Sequence, residues 1–131
     1  FSDGVSLSYA QLLDLGFDLD GSDQADTLTG TSVSDRINGL AGDDRLSAGD
    51  GDDTLAGGRG DDLLDGGLGD DRYVFNRGDG QDRITDAGGN DRLLFGAGLV
   101  FNDLRFGQDG DDLRIDIGAL DQLRINGWYA D

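Results

Sequence analysis

One large apolar residue recurs along most of this chain at intervals of nine residues, interrupted once by a two-residue insertion at Phe75 and Asn76. An aspartate stands two positions before each of these apolar residues. The eight apolar positions are Leu28, Ile37, Leu46, Leu55, Leu64, Tyr73, Ile84 and Leu93. The pattern predicts very short strands of three residues, each of which directs a single side chain inward.

Glycine and aspartate dominate the six residues between successive short strands, as in residues 57–62 and 66–71. Glycine adopts backbone conformations that other residues avoid, so these segments are predicted to be tight turns. Two repeats would make one coil, and repeat n would then stack on repeat n+2. The stacked aspartates would form two columns. One column is Asp26, Asp44, Asp62 and Asp82, and the other is Asp35, Asp53, Asp71 and Asp91.

Composition narrows the chemistry that the chain could perform. The 131 residues include no Cys, His, Met or Pro, every acidic residue is Asp, and the net charge is −18. Without Cys or His, thiol nucleophiles, disulfides, Ser-His-Asp triads and ordinary zinc or haem sites are excluded. The acidic excess argues against a nucleic acid partner, and no apolar stretch is long enough for a membrane span. Compaction of so acidic a chain requires cations.

The repeat resembles the nonapeptide G-G-x-G-x-D-x-U-x, where U is a large apolar residue, most clearly in residues 57–65 and 66–74. That nonapeptide is the calcium-binding repeat of the repeats-in-toxin (RTX, haemolysin-type) family. The resemblance implies an all-β fold, a right-handed parallel β-roll (β-solenoid) with a ladder of apolar residues between two parallel sheets. It also implies several Ca²⁺ ions, about four to six, in irregular cages of oxygen atoms that suit calcium better than magnesium.

The predicted metal ligands are the aspartates of both columns and turn glycines, whose carbonyl oxygens would face the ions. They are Asp26, Asp35, Asp44, Asp53, Asp62, Asp71, Asp82, Asp91, Gly39, Gly57, Gly58, Gly60, Gly66, Gly67 and Gly69. The middle turns are expected to bind best. Residues 30–34 lack the later glycines and residues 86–90 have lost the leading ones, so weak sites are expected at both turns.

Three regions are predicted: an N-terminal cap or linker over 1–20, the roll over 21–94 and a C-terminal antiparallel β cap over 95–131. Within the first, residues 5–15 form a possible short helix that stops at Gly16. After residue 94 the period ends, and alternation predicts a hairpin around Asp109-Gly110 and a third strand over residues 122–126. The aromatic residues of this region are expected to form a core. They are Phe95, Phe101, Phe106, Trp128 and Tyr129.

Residues 73–95 extend the resemblance to the C-terminal repeat block of RTX toxins and large bacterial adhesins. In that family the repeats follow a toxin, protease, lipase, epimerase or adhesin portion. The protein leaves unfolded through type I secretion machinery and folds on meeting extracellular calcium. The resemblance therefore implies a secreted, extracellular module, which we expect to be a monomer without enzyme activity of its own. No secretion signal is recognisable, so the chain is expected to be a piece of a longer protein.

The same residues allow other interpretations. An acidic disordered linker would not keep eight apolar residues in phase with eight aspartates. An EF-hand needs Glu at loop position 12, and the chain has no Glu. Paired carboxylates could perform glycosidase-like chemistry, but metal binding already uses them. The alternative function is a calcium-stabilised adhesive or ligand-binding module of a surface protein, which would use arginines such as Arg36 and Arg72 or the terminal aromatics.

Overall fold

The computed structural model describes residues 16–128, so the helix predicted over residues 5–15 and the side chain of Tyr129 lie outside the described residues. Within residues 16–128 no helix is long and apolar enough to cross a membrane. One turn of 3₁₀ helix spans Phe101–Asp103. The strands are β1 (Asp18–Asp20), β2 (Thr27–Thr29), β3 (Arg36–Asn38), β4 (Arg45–Asp50), β5 (Thr54–Ala56), β6 (Leu63–Leu68), β7 (Arg72–Phe75), β8 (Gln81–Thr85), β9 (Arg92–Phe95), β10 (Leu104–Asp109), β11 (Asp112–Ile117) and β12 (Asp121–Ile125).

Strands β1 to β9 alternate between two parallel sheets. The odd-numbered strands form one sheet in the order β1-β3-β5-β7-β9, and the even-numbered strands pair as β2-β4-β6-β8 in the other. Each strand therefore pairs with the strand two repeats away, as Leu46 does opposite Leu64 and Ile37 opposite Leu55. The nine-residue period allows this arrangement because one short strand and one tight turn consume one repeat. The predicted parallel β-solenoid is confirmed.

The space between the two sheets is filled by the predicted apolar ladder. Its middle members are 0–2% exposed, whereas Leu28 and Leu93 at the two ends are partly buried. Those buried members are Ile37, Leu46, Leu55, Leu64, Tyr73 and Ile84. The prediction of three-residue strands holds for β2, β3 and β5, which direct one apolar side chain inward. Strands β4 and β7 are longer and each bury a second apolar side chain, Ala48 and Phe75.

The C-terminal strands extend the even-numbered sheet. Strands β10 and β11 form the predicted antiparallel hairpin, which turns at Gly110 and Asp111. Strand β12 pairs antiparallel with β11 and, on its other side, parallel with β8, where Ile125 lies opposite Ile84. The predicted antiparallel addition to the solenoid is confirmed. The parallel contact with β8 was not predicted, because alternation within a segment does not identify the partner of its outer edge.

The expectation that the terminal aromatic residues form a core is wrong for three of them. Phe101, Phe106 and Trp128 are 75%, 53% and 61% exposed. Within residues 16–128 no strand lies beyond β10, which is the outer edge of its sheet. Phe101 and Phe106 lie beside each other there, with 5.9 Å between ring centroids. The core here is aliphatic instead. Its buried members are Leu113, Ile115, Ile117 and Leu123.

Candidate metal centre

The repeat aspartates stand at the end of each turn, at or directly before the start of a strand. In every stacked pair, Oδ1 of the later aspartate accepts a hydrogen bond from the backbone N–H of the earlier one. The structure therefore places all eight predicted aspartates in two columns. The N–H to Oδ1 distances are 2.7 Å for Asp26 to Asp44, 2.7 Å for Asp44 to Asp62, 3.0 Å for Asp62 to Asp82, 2.6 Å for Asp35 to Asp53, 2.8 Å for Asp53 to Asp71 and 3.0 Å for Asp71 to Asp91.

The second carboxylate oxygen of the central aspartates is buried and has no hydrogen-bond donor within residues 16–128. These aspartates are 0–3% exposed. An ionised carboxylate without a partner is costly to bury, so each of these oxygens requires a cation or a proton. The unpartnered atoms are the Oδ2 atoms of Asp44, Asp53, Asp62, Asp71 and Asp82.

The first two turns differ because their own hydroxyl residues hold the second oxygen. Ser22 donates its backbone N–H and its hydroxyl to Asp26 Oδ2 at 2.6 and 2.8 Å. Thr31 does the same for Asp35 Oδ2 at 2.5 and 2.9 Å. The Oδ2 atoms of Asp26 and Asp35 therefore have fewer lone pairs available for a cation. This is a physical reason to expect weak sites near Asp35.

The first glycine of a turn leaves open the space into which the oxygens point. A Cβ at Gly57 would lie 2.2 Å from Asp62 Oδ2, and one at Gly39 would lie 2.3 Å from Asp44 Oδ2 and 2.5 Å from the Gly57 carbonyl oxygen. A side chain would fill this cradle. Gly66 occupies the same position before Asp71, where a Cβ would lie 2.2 Å from the Asp71 Oδ2.

The other predicted glycines shape the turn. All four have positive φ, and coils approach each other closely there. Gly60, for example, has φ +143°, and a Cβ on it would lie 2.0 Å from the Gly42 carbonyl oxygen. A larger residue would be strained and would separate the stacked turns. The four glycines are Gly58, Gly60, Gly67 and Gly69.

Burial makes the charged form of the column aspartates unfavourable. Burial, together with the charges of neighbouring carboxylates, raises the pKa of Asp53 and of Asp62 to about 6 and that of Asp82 to about 8. The pKa values of Asp44 and Asp71 are raised for the same reasons. No arginine compensates, because the ion pairs within residues 16–128 join Arg77, Arg114 and Arg124 to aspartates outside the columns.

Sequence reasoning missed a second row of carboxylates, formed by the residue before each repeat aspartate in the central turns. Their Oδ1 atoms accept backbone N–H groups from the next coil at 2.9–3.0 Å, which clips the outer sides of the turns together. The Asp-Asp doublets in the sequence were the available signal for this row. Its members are Asp43, Asp52, Asp61 and Asp70.

The two columns end differently. Strand β12 places Leu123 opposite Asp82, so an apolar side chain stands where the next aspartate of that column would be. In the other column Asp91 is exposed, and its strand β9 is the edge of the odd-numbered sheet. A further stacked carboxylate is thus excluded at the first end, whereas at the second the last turn lies open.

The stacked turns fit calcium. The atoms that line the space beside the first glycines include carboxylate and carbonyl oxygens. Calcium binds six to eight such oxygen ligands in irregular geometry. The orphaned Oδ2 atoms and the space kept by the first glycines are the two observations that support the fit.

Comparison with known proteins agrees with this arrangement. The family model of the RTX calcium-binding nonapeptide repeat (4 copies) matches residues 20–55, 38–73, 47–81 and 78–98, which together span 79 of the 131 residues. No curated protein sequence matches the chain.

Solved structures also resemble the chain, among them two bacterial proteins. One is the extracellular lipase LipA from Serratia marcescens, at 28% identity and a TM-score of 0.68 over 84% of this chain. The chain spans only 18% of that lipase. The other is the AlgE6R3 subunit of the mannuronan C5-epimerase from Azotobacter vinelandii, at 31% identity and a TM-score of 0.61, which covers 82% of this chain and 73% of that one. The chain therefore belongs to the RTX calcium-binding nonapeptide repeat family, and its β-solenoid is a calcium-binding repeat module of the kind found in bacterial proteins.

Proposed function

We propose that this module stays unfolded without calcium and folds on meeting extracellular calcium, after type I secretion of a longer bacterial protein. The observation that carries the proposal is the set of five buried aspartate Oδ2 atoms without a donor within residues 16–128. An arrangement that leaves so many buried carboxylate oxygens unpartnered is stable only when a cation or protons neutralise them, and near neutral pH a divalent cation does so more completely.

The proposed ligands are the aspartates of the two columns, with backbone carbonyl oxygens from the glycine-led turns beside them. Each central aspartate takes part in two stacked pairs, as Asp62 does with Asp44 below and Asp82 above. Neighbouring sites share a turn, so ordering one turn for binding also orders the next. Binding should therefore be cooperative along each column, with about four to six ions in all.

Calcium would supply positive charge between carboxylates that otherwise repel one another. The apolar ladder offers little to oppose that repulsion, because most repeats contribute a single large inward side chain such as Leu55 or Leu64. With extracellular-type dissociation constants of about 10⁻⁴–10⁻³ M, millimolar calcium contributes roughly 0.4–1.4 kcal/mol per site. Several sites together reach a few kcal/mol, which is comparable with the whole stability of a small domain.

Such a dependence suits export through a channel. A chain that cannot compact where calcium is scarce remains threadable, and the same chain folds once calcium reaches the turns. The net charge of −18 keeps the unbound chain self-repelling. Secretion, the extracellular location and the identity of the upstream portion belong to this proposal.

The experiment is a calcium titration of the metal-stripped chain followed by far-UV circular dichroism, with magnesium as the control. A cooperative change from coil to β signal with calcium alone is expected. A full β signal that persists without divalent ions would contradict the proposal, because the apolar core of the roll would then be sufficient. An equal response to magnesium would contradict the calcium selectivity of the cages.

A further inference from the structure

Asp86 stands at the turn position where most repeats have their first glycine. Its turn, residues 86–91, stacks on residues 66–71, where the same position is Gly66. One carboxylate oxygen each from Asp71, Asp86 and Asp91 lie within 4.8 Å of one another. The other stacked pairs bring two repeat aspartates together, so Asp86 adds a third carboxylate to this one.

Asp71 supplies an independent sign that this cluster holds a ligand. It is fully buried, its Oδ1 accepts the Asp53 N–H at 2.8 Å, and its Oδ2 has no donor within residues 16–128. A Cβ at Gly66 would lie 2.2 Å from that Oδ2 and 2.3 Å from the Tyr73 hydroxyl oxygen. The unpartnered oxygen therefore lies on the side of Gly66 where Tyr73 meets Asp86.

Tyr73 holds the Asp86 carboxylate in place. Its buried hydroxyl accepts the Gly66 N–H at 2.9 Å and donates to Asp86 Oδ2. Asp86 Oδ1 accepts the Gly88 N–H at 2.8 Å. Each oxygen of Asp86 thus has one donor, and a carboxylate offers about four lone-pair positions in total. Asp86 is fixed in orientation and still has lone pairs available for a cation.

The cluster lacks positive charge of its own. Within residues 16–128 none of its three carboxylates forms an ion pair with an arginine. An unpartnered oxygen of Asp71 with two further carboxylates, Asp86 and Asp91, beside it is an electrostatic setting in which a divalent cation is stabilising.

We propose that Asp86 is a direct ligand of a three-carboxylate calcium site with Asp71 and Asp91, and that this site binds calcium more tightly than the two-carboxylate pairs. The inference rests on the proposed calcium-binding function of the columns. Calcium affinity increases with the charge of the ligand set and with its rigidity. Asp86 increases the charge, and Tyr73 provides the rigidity. The turn expected to be weak from its lost glycines is therefore the one that fills first.

The site has a built-in spectroscopic reporter. Trp128, the single tryptophan of the chain, lines the same cavity of about 440 Å³ as Asp86 and Asp91. Tb³⁺ binds to oxygen cages as calcium does, and it luminesces when a nearby excited tryptophan transfers energy to it. We would titrate Tb³⁺ into the whole chain with tryptophan excitation and then displace it with calcium.

The variants are Asp86→Asn, which is isosteric, and Asp86→Gly, which restores the glycine of the other turns. In the unaltered chain, Trp128-sensitised luminescence should rise in the earliest phase of the titration. Both variants should require on the order of tenfold more Tb³⁺ for this phase, because one ligand charge is missing. Asp23→Asn, at an exposed aspartate in the turn before β2, is the matched control and should leave the phase unchanged.

An early phase that survives in both Asp86 variants would overturn the proposal. So would a Tyr73→Phe chain that loses the phase as completely as Asp86→Asn, since Asp86 would then act only through its hydrogen bond to Tyr73. If the Asp86→Asn chain does not reach the full β signal in calcium, the Asp86→Gly chain is used for the titration instead. An unaltered chain that does not fold with calcium would instead count against the proposed function, so the two failures are distinguishable.

Discussion

The roll (strands β1–β9) and the cap (strands β10–β12) share one sheet and one apolar cluster, yet they bury opposite kinds of residue. In the roll, aspartates of both columns are as buried as the leucines beside them. In the cap, the buried residues within 101–128 are all aliphatic, and carboxylates such as Asp109 and Asp116 lie nearer the surface beside arginines.

One sheet therefore contains two regions whose stability has different physical origins. The cap strand β11 buries three apolar side chains, Leu113, Ile115 and Ile117, and their packing does not depend on a ligand. A roll strand such as β5 buries one, and the turn beside it buries a carboxylate. The stability of the roll is therefore conditional on cations, whereas that of the cap is mainly hydrophobic.

Calcium removal should separate the two regions most strongly. We expect amides of β4 to β7 to lose most of their hydrogen-exchange protection, because several kcal/mol of binding free energy disappear from the roll. Amides at the β10–β11 contact should lose less. Exchange measured by mass spectrometry with and without calcium checks this, with magnesium as the control. Equal loss in both regions would mean that the cap has no stability of its own.

Truncation of buried apolar residues should cost both regions a similar amount of stability. Leu55→Ala in the roll and Ile115→Ala in the cap should each lower the free energy of unfolding by about 2–5 kcal/mol, since both side chains are 0–1% exposed. Urea unfolding in saturating calcium measures this, and Leu120→Ala, at an 82% exposed position, is the control. Only Leu55→Ala should strongly raise the calcium concentration at the midpoint of folding. Equal midpoint shifts for Leu55→Ala and Ile115→Ala would argue against separate stabilities of the roll and the cap.

Neutralising one column carboxylate should have effects of opposite sign with and without calcium. With calcium, Asp62→Asn should cost about 1–3 kcal/mol, because the two stacked pairs that contain Asp62 lose a charged ligand. Without calcium, the same change removes a repulsive buried charge and should favour compaction. The matched control, Asp109→Asn, breaks only an exposed 2.8 Å pair with Arg124 and should cost about 0–1 kcal/mol.

The calcium midpoint of folding measures the effect of Asp62→Asn with calcium. The β signal of the metal-stripped chain measures its effect without calcium. Equal, small midpoint shifts for Asp62→Asn and Asp109→Asn would disprove the column assignment.

Low pH should partly replace calcium in stabilising the roll. We expect this effect to be the smallest of those predicted. Without calcium, Asp53 and Asp62 have pKa values of about 6 and Asp82 about 8 in the folded state, above the value of 3.8 for an unburied Asp. The folded roll then binds more protons than the unfolded chain, so its stability should fall as pH rises from about 5 to about 8. In calcium the trend should reverse, because protons compete for the same oxygens.

Circular dichroism of metal-stripped and calcium-saturated chains over this pH range tests the sign. A calcium-free roll that gains β signal as pH rises would show that the buried carboxylates are compensated by something other than cations or protons. The cap has no buried carboxylate within residues 101–128, so Ile115→Ala should leave the pH trend unchanged.

Much of the roll could be predicted because its interactions repeat at a fixed spacing. Once Leu46 and Leu64 are assigned to successive coils, the same spacing of 18 residues places Asp44 beside Asp62. The nine-residue period does not indicate how many hydrogen bonds each aspartate carboxylate receives from its own turn. Ser22 and Thr31 hold the second oxygen of Asp26 and Asp35, and these contacts follow from local hydroxyl residues that the repeat pattern ignores.

The coil length, the apolar ladder, the two aspartate columns and the hairpin follow from the sequence alone, because each depends on a local period and on local turn chemistry. The contacts between elements that share no such period depend on the tertiary fold. It docks β12 on β8 and so ends one column at Leu123, and it brings Asp86 to Tyr73 and Asp71 at the open end of the other. It also leaves Phe106 and Trp128 exposed. These outcomes depend on non-local packing at the ends of the solenoid, where the repeat stops and each contact forms once.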